Sequence, residues 1–257
     1  MWDPGLYQRF SDERSRPFFD LLGRVAAEEP DLVADLGCGP GTLTAALASR
    51  WPSARIRGID SSAEMIEAAR ALPGGRGRRL SFDVGDVRHW TPDAQVDVII
   101  SNAVLQWVPD HLRVVGWWAG LLREGGWLAF QVPGNFDQPS QRALRELVGS
   151  DRWRPLLADV QLSRQAAEPA EYLDLLARAG FEVDAWETTY VHLLRGEDPV
   201  LDWYRGTGLR PVIAALGSEQ AAQFLADYRV RMKDAYPAAP YGTAFPFRRV
   251  FVAAVRR

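Results

Sequence analysis

An α/β fold with a doubly wound, mostly parallel sheet is what this sequence predicts, and three observations carry the prediction. Short apolar runs alternate with helical patterns from Leu32 to Pro133, the rhythm of strands and covering crossover helices. A glycine-rich turn, "GCGPGT", follows directly on the first apolar run. Polar residues then stand at the ends of successive runs, Asp35, Asp60, Asp86 and Asn102. Right-handed crossovers bring all such ends to one edge of the sheet, where open α/β sheets hold ligands.

In order, "LVADLG" reads as a buried strand and "TLTAALASRW" as a helix long enough for a crossover. "RIRGID" is the second strand and "SAEMIEAARAL" the second helix, capped by Ser61 or Ser62. "PGGRGRR" turns the chain into the strand "LSFDVGD". Then follow the strand "VDVIISN", the helix "HLRVVGWWAGLL", a turn at "REGG" and the strand "WLAFQVP". Beyond Pro133 the alternation breaks. "GNFDQPSQRALRELVGSDRWRPLLADV" is partly helical, and "EPAEYLDLLARAG" is a helix with a glycine stop before the strand "FEVDAWETTY". Residues 199–236 are again helical, as "DPVLDWYRGTGLRPVIAAL" and "SEQAAQFLADYRVRMKDAY", and "RRVFVAAVRR" is a last strand. The expectation is one domain over 1–257. Its core lies at about 30–133, 168–190 and 246–257, with an N-terminal lid segment at 1–20. Cap insertions at about 134–167 and 191–245 are expected over the ligand edge.

With 257 residues, 47% hydrophobic and 25% charged, the composition is that of a globular protein. A net charge of -3 gives no basis for broad attraction to nucleic acid or lipid. The single cysteine, Cys38, excludes an internal disulfide and fits a reducing compartment. The polar start "MWDPGLYQRFSDERSRP" is not a secretory signal, and no apolar run approaches about 20 residues. The expectation is a cytoplasmic protein without a nucleic-acid or membrane partner, a monomer or weak homo-oligomer. Most of the ten tryptophans are expected to pack in the core.

Gly37, Gly39 and Gly41 let the backbone turn tightly and approach a ligand. No "GK[ST]" follows, which removes a Walker loop, and Thr42 stands where the dinucleotide fingerprint has its last glycine. Asp60 is placed to accept both ribose hydroxyls of a nucleoside. Asp35 discriminates further, because a carboxylate beside the turn repels phosphates and attracts an ammonium or sulfonium. S-adenosylmethionine, a cation without phosphate, fits that description. On this reading Asp86 accepts from the adenine amino group and Asn102 orients the methionine end.

The blocks "DLGCGPG", "GIDSS", "GDVRHW" and "SNAVLQWVPDH" resemble those of class I S-adenosylmethionine-dependent methyltransferases. Together with "WDPGLYQRFSDERSRP", "WETTYVH" and "FPFRRVFVAAV", they make nearly the whole chain similar to the family whose members esterify trans-aconitate. The resemblance implies a seven-stranded sheet with the last strand antiparallel. It also implies esterification of one carboxylate, giving a monomethyl ester and S-adenosylhomocysteine. Carried over by motif, Asp35, Gly37, Cys38, Gly39 and Gly41 form the cofactor loop. Asp60 is then similar to the ribose ligand, Asp86 to the adenine-side residue and Asn102 to the residue beside the methionine, with Ser61 and Val87 as further cofactor-binding residues.

An ionised carboxylate is already a nucleophile, so no general base and no metal is expected. A tricarboxylate needs cations and hydroxyls instead. Candidates are Tyr7, Arg14, Arg16, Gln106, Trp107, Tyr190, His192, Trp203, Arg205 and Arg248. Arg16 stands first, Arg248 second, while Arg249 has the weaker case and a solvent-facing alternative. His192 is weighed against a packing role at the strand-to-insertion junction, and His111 as a helix-start residue. Cys38 is a small filler, sensitive to bulky alkylation. Four alternatives stay open: methyl transfer to another small carboxylic or phenolic acceptor, an NAD-linked oxidoreductase, a non-catalytic S-adenosylmethionine-binding regulatory protein, and methyl-ester formation on a protein or nucleic acid.

Overall fold

The computed structural model describes residues 11–163 and 166–257. Helix α1 (Ser11–Leu22) precedes strand β1 (Leu32–Leu36), helix α2 (Thr42–Arg50), strand β2 (Arg55–Asp60) and helix α3 (Ala63–Arg70). Strands β3 (Leu80–Val84) and β4 (Val96–Asn102) follow, then a 3-10 turn at Leu105–Trp107, helix α4 (His111–Leu121) and strand β5 (Leu122–Pro133). Helices α5 (Pro139–Val148), α6 (Arg154–Leu157) and α7 (Pro169–Arg178) lead to strand β6 (Phe181–Leu194). Helices α8 (Pro199–Arg205), α9 (Arg210–Ala215) and α10 (Ser218–Ala235) precede strand β7 (Thr243–Arg256).

Among the described residues the strands form one seven-stranded sheet in the order β3-β2-β1-β4-β5-β7-β6. β1 pairs in parallel with β2 and β4, and β2 with β3 and β4 with β5 are also parallel. Gly134 donates to Arg248 O (2.9 Å) while Arg256 donates to Leu122 O (2.6 Å), so β7 runs antiparallel to β5. The expected sheet with its antiparallel last strand is therefore present. Every residue of β1 is buried, as a central strand covered on both faces requires. The order reverses between β1 and β4, and the crevice outside their carboxyl ends is the switch point.

The chain divides into two compact units. The sheet unit comprises Ser15–Pro133, Ala166–Thr188 and Val250–Arg257. Its core joins Leu36, Ile99, Trp118, Phe130, Tyr172 and Val252. At the amino end of β1 and β4, the buried Asp97 accepts from the backbone of Asp31 (3.0 Å) and Leu32 (2.8 Å) and meets Arg123. This acid is structural. The helical unit comprises Met1–Arg14, Gly134–Gln165 and Thr189–Arg249. Its core is aromatic, with Trp153, Trp203, Tyr204, Phe224, Tyr228 and Phe245. Ser140 is a polar hub there. Its backbone N–H donates to Tyr236 Oη (3.2 Å), its carbonyl accepts from Tyr228 Oη (3.2 Å), and its Oγ lies 2.8 Å from Tyr204 Oη.

Four local readings change. The predicted helix from Asp198 to Leu216 is broken into α8 and α9; at Gly208 a Cβ would lie 3.1 Å from the Tyr204 ring, and glycine keeps the turn there compact. The "REGG" turn lies within β5, looped out where Val96 pairs with Leu122 but Val98 with Trp127. Strand β6 continues past Tyr190 to Leu194, so His192 is inside a strand and not at a junction. Strand β7 starts at Thr243, ahead of the predicted Arg248, and runs through Pro246. Among the described residues, no helix is long and apolar enough to cross a membrane.

Candidate active site

The turn after β1 is shaped by contacts that exclude side chains. Gly37 has φ 84°, and a Cβ there would lie 2.0 Å from Val104 Cγ2. Gly41, with φ 79°, caps α2 where a Cβ would meet Ala69 and Phe82 at 2.8 Å. Both need glycine for conformation and for space. Gly39 differs, since a Cβ there would meet nothing within 4 Å among the described residues. The turn thus presents bare backbone at its crest.

Asp60, at the end of β2, ties two loops together. Its Oδ2 accepts from the Gly39 backbone (2.9 Å) and its Oδ1 from that of Ser62 (2.9 Å). A carboxylate has about four acceptor sites, so each oxygen keeps capacity for a hydroxyl. Ser62, not Ser61, caps α3 by accepting from Met65 N–H (3.3 Å), and Ser61 is exposed beside it.

Asp35 is 2% exposed and accepts from Thr44 Oγ1 at 2.6 Å. Burial pushes its carboxyl up to about 7; the Thr44 bond opposes that rise and the neighbouring Asp60 charge adds to it. Near neutral pH this acid sits between its two forms. A cation arriving beside it favours the ionised one. Cys38 is 8% exposed, and burial, with the charges of Asp35 and Asp60, pushes its thiol far above the usual range. A covered thiol pushed toward its protonated form runs against the expected sensitivity to alkylation.

Asp86 follows β3 and accepts from the Arg88 backbone (2.9 Å) and guanidinium, which holds its carboxyl below the usual range. Val87 beside it is buried, its carbonyl accepting from Trp118 Nε1 at 2.8 Å. Asn102 ends β4 with its Oδ1 accepting from Gln131 Nε2, and Gln131 is 1% exposed. Gln106 is buried, donates to Ala103 O (2.6 Å), and its Oε1 has no hydrogen-bond partner among the described residues. Trp107 next to it is 41% exposed. In the sheet unit the strand-end edge therefore collects Asp35, the glycine turn, Asp60, Asp86 and Asn102, as the sequence predicts. The room for a Cβ at Gly39 among the described residues and the spare acceptor capacity on Asp60 fit an adenosine cofactor with a cationic tail.

The predicted acceptor residues are less uniform. Tyr7 and the side chain of Arg14 lie outside the described residues. Arg16 projects into solvent, 72% exposed, with Asp20 at 3.7 Å one helical turn away; α1 turns its first-ranked arginine outward. Arg205 is likewise exposed, 3.9 Å from Asp202 at the end of α8. In the helical unit Tyr190 and His192 are buried on β6, their rings stacked at 6.1 Å, and His192 stacks on Trp203 at 5.0 Å. Trp203 is enclosed by Phe245 and Phe247, which makes it core. Arg248 is half-buried and donates to Gly134 O at 3.2 Å. Arg249 is 4% exposed, with its guanidinium 4.8 Å from the Phe247 ring, so it does not face solvent. Among the described residues, no cluster of three or more His, Cys, Asp or Glu side chains could hold a metal.

Sequence reasoning missed Thr44, Arg88 and Gln131. Arg88 was legible as the opposite charge two residues from Asp86, and Gln131 as a lone polar residue inside the apolar run "WLAFQVP". Thr44 carried no such signal, because its contact depends on the angle at which α2 leaves the turn.

Residues 33–126 match the family described as "Methyltransferase domain". The trans-aconitate 2-methyltransferase of Streptomyces avermitilis is 54% identical over 98% of this chain and 96% of its own length. That of Mycolicibacterium gilvum is 52% identical, over 99% and 98%. Among solved structures, YcgJ from Bacillus subtilis aligns with TM-score 0.59 at 15% identity, over 94% of this chain and 98% of its own. A geranyl diphosphate methyltransferase in complex with SAM aligns with TM-score 0.56 at 19% identity, over 98% and 89%. These two likenesses concern the fold. Identity above half from end to end says more: the chain belongs to the trans-aconitate 2-methyltransferase family.

Proposed function

We propose that this protein transfers the methyl group of S-adenosylmethionine to one carboxylate of trans-aconitate, giving the monomethyl ester and S-adenosylhomocysteine. The observation that carries this reading is the identity of 54% to a trans-aconitate 2-methyltransferase in an alignment that covers 98% of this chain.

When bound, S-adenosylmethionine supplies an electrophilic methyl on a sulfonium. Asp60 accepts from the ribose hydroxyls with the capacity left beside its two amide bonds. Asp35 balances the cationic tail from beneath the turn, and Thr44 favours its ionised form. Asn102, oriented by Gln131, serves the methionine end. Asp86 with Arg88, and Val87 between them, flank the base. Gly37, Gly39 and Gly41 bring backbone against the cofactor with no Cβ at the crest.

A carboxylate needs no base at pH 7. One of its oxygens bonds to the methyl carbon as the carbon–sulfur bond breaks, the electron pair stays on sulfur, and no proton changes hands. The protein's part is alignment at roughly 3 Å between reacting atoms and exclusion of water.

The test incubates purified protein with S-adenosylmethionine and, separately, trans-aconitate, cis-aconitate, citrate and isocitrate. Ester and S-adenosylhomocysteine are followed by mass spectrometry. Ester formed much faster from trans-aconitate supports the reading. Cofactor binding without ester from any of the four acids removes the acceptor.

A further inference from the structure

We propose that Arg249, with Tyr190 and His192, is the anchor for the carboxylates of the acceptor, and that the aromatic wall around it selects a flat, conjugated polycarboxylate. The proposal rests on the function proposed above and deepens it by naming the groups that recognise the acid.

The argument begins with the period of the strands. Along β7 the buried positions are Thr243, Phe245, Phe247 and Arg249, while Ala244, Pro246 and Arg248 are exposed or half-buried on the other face. Along β6, Tyr190, His192 and Leu194 are buried, and Val191 and Leu193 are exposed. Gly242 lies against Leu194 O and Arg257 donates to Gly180 O (2.9 Å), so the two strands run antiparallel. Tyr190, His192, Phe247 and Arg249 therefore share one face within the helical unit.

Their contacts are continuous. The Tyr190 and His192 rings are parallel within 4° at 6.1 Å, His192 is 6.3 Å from Phe247, and Phe247 lies 4.8 Å from the Arg249 guanidinium. Three kinds of donor, a phenol, an imidazole and a guanidinium, thus stand beside flat rings. Arg249 resting against a ring keeps its planar fork pre-oriented, the geometry that meets a carboxylate with two parallel bonds. Arg248 points to the opposite face and is bound to Gly134 O, while Arg16 and Arg205 are solvated at helix surfaces. Of the arginines weighed from sequence whose side chains are described, Arg249 is the one built into an aromatic wall. A planar alkene between carboxylates can lie against such rings; a tetrahedral central carbon bearing a hydroxyl holds its carboxylates out of plane.

The experiment measures Arg249→Lys and Arg248→Ala in the full chain, reading KM and kcat for trans-aconitate, the Kd for S-adenosylmethionine, and Tm. The expected result for Arg249→Lys is a KM raised about 10- to 100-fold by loss of the fork, with kcat and cofactor Kd changed less than about threefold. A KM unchanged in Arg249→Lys, or raised more by Arg248→Ala, overturns the proposal while leaving the activity in place. Should Arg249→Lys fail to fold, Tyr190→Phe removes only a hydroxyl and keeps the ring. It should raise KM for trans-aconitate severalfold at unaltered Tm, and an unchanged KM again overturns the proposal. An unaltered protein that neither binds nor methylates trans-aconitate overturns the parent reading, and this one with it.

Discussion

The hydroxyl of Thr44 donates to Asp35 Oδ2 at 2.6 Å, joining the first turn of α2 to the acid at the end of β1 where neither side chain meets solvent. The bond opposes a burial that pushes Asp35 up to about 7. Asp35 is thus protonated below that pH in the folded chain and ionised above it. Affinity for S-adenosylmethionine should rise from pH 6 to pH 8, with proton release on binding near neutrality. Calorimetry in two buffers of different ionisation enthalpy measures both. Thr44→Val, which keeps the shape and removes the donor, should shift the midpoint upward and weaken binding at pH 7 about tenfold.

Stability carries the opposite sign. A carboxyl raised above its unfolded value near 3.8 binds more protons in the folded state, so its contribution falls as pH rises from about 4 through 7. Asp35→Asn removes that loss. The variant should be more stable than its parent at pH 8, by at most an amount on the order of 4 kcal/mol, and gain little at pH 4. Its affinity for the cofactor should drop at every pH above neutrality. Thermal melts at the two pH values, paired with a binding isotherm, read the trade.

Gly37→Ala meets two separate obstacles, φ 84° and a Cβ placed 2.0 Å from Val104 Cγ2. The combined cost should be about 2–4 kcal/mol in urea unfolding. Adding Val104→Ala opens the space but leaves the dihedral, so the double variant should regain only part of the loss. Full recovery would show that the conformation itself costs nothing.

Asp60 makes the loops after β1 and β2 depend on one side chain. In Asp60→Asn one oxygen still accepts, but the amide nitrogen faces a backbone N–H of Gly39 or Ser62. Hydrogen exchange at those two amides should quicken, and cofactor affinity should fall at least about a hundredfold with the added loss of the ribose contact.

Cys38 tests the packing of the turn. Covered, and with its thiol held protonated, it should take up iodoacetamide at pH 8 far more slowly than the unfolded chain does. Intact-mass measurement over hours, with and without urea, separates the two rates. Fast labelling of the native chain would mean that the turn opens.

Much of this molecule is legible along the chain. The alternation from Leu32 to Pro133 sets the parallel strands, because a strand buried on both faces must be a short apolar run followed by a crossover. Asp35, Gly37, Gly39, Gly41, Asp60, Asp86 and Asn102 come to one edge for the same reason: a residue that ends a strand has its place determined by the strand. Where a rigid element fixes direction, sequence order suffices.

Orientation needed the folded chain. Arg248 and Arg249 are neighbours in sequence, yet one is bound at a half-buried face and the other lies against Phe247, because successive strand residues point oppositely. Which face is buried depended on β7 extending back through Pro246 to Thr243 and pairing beside β6. Arg16 turned outward because α1 buries Phe18 and Leu21 instead. Thr44 met Asp35, and Val104 met Gly37, only through the packing of elements distant or differently angled in the chain. The sequence by itself determined which chemical groups stand at the ends of the strands. The tertiary structure decided which of them face one another, since that follows from register and packing and not from spacing along the chain.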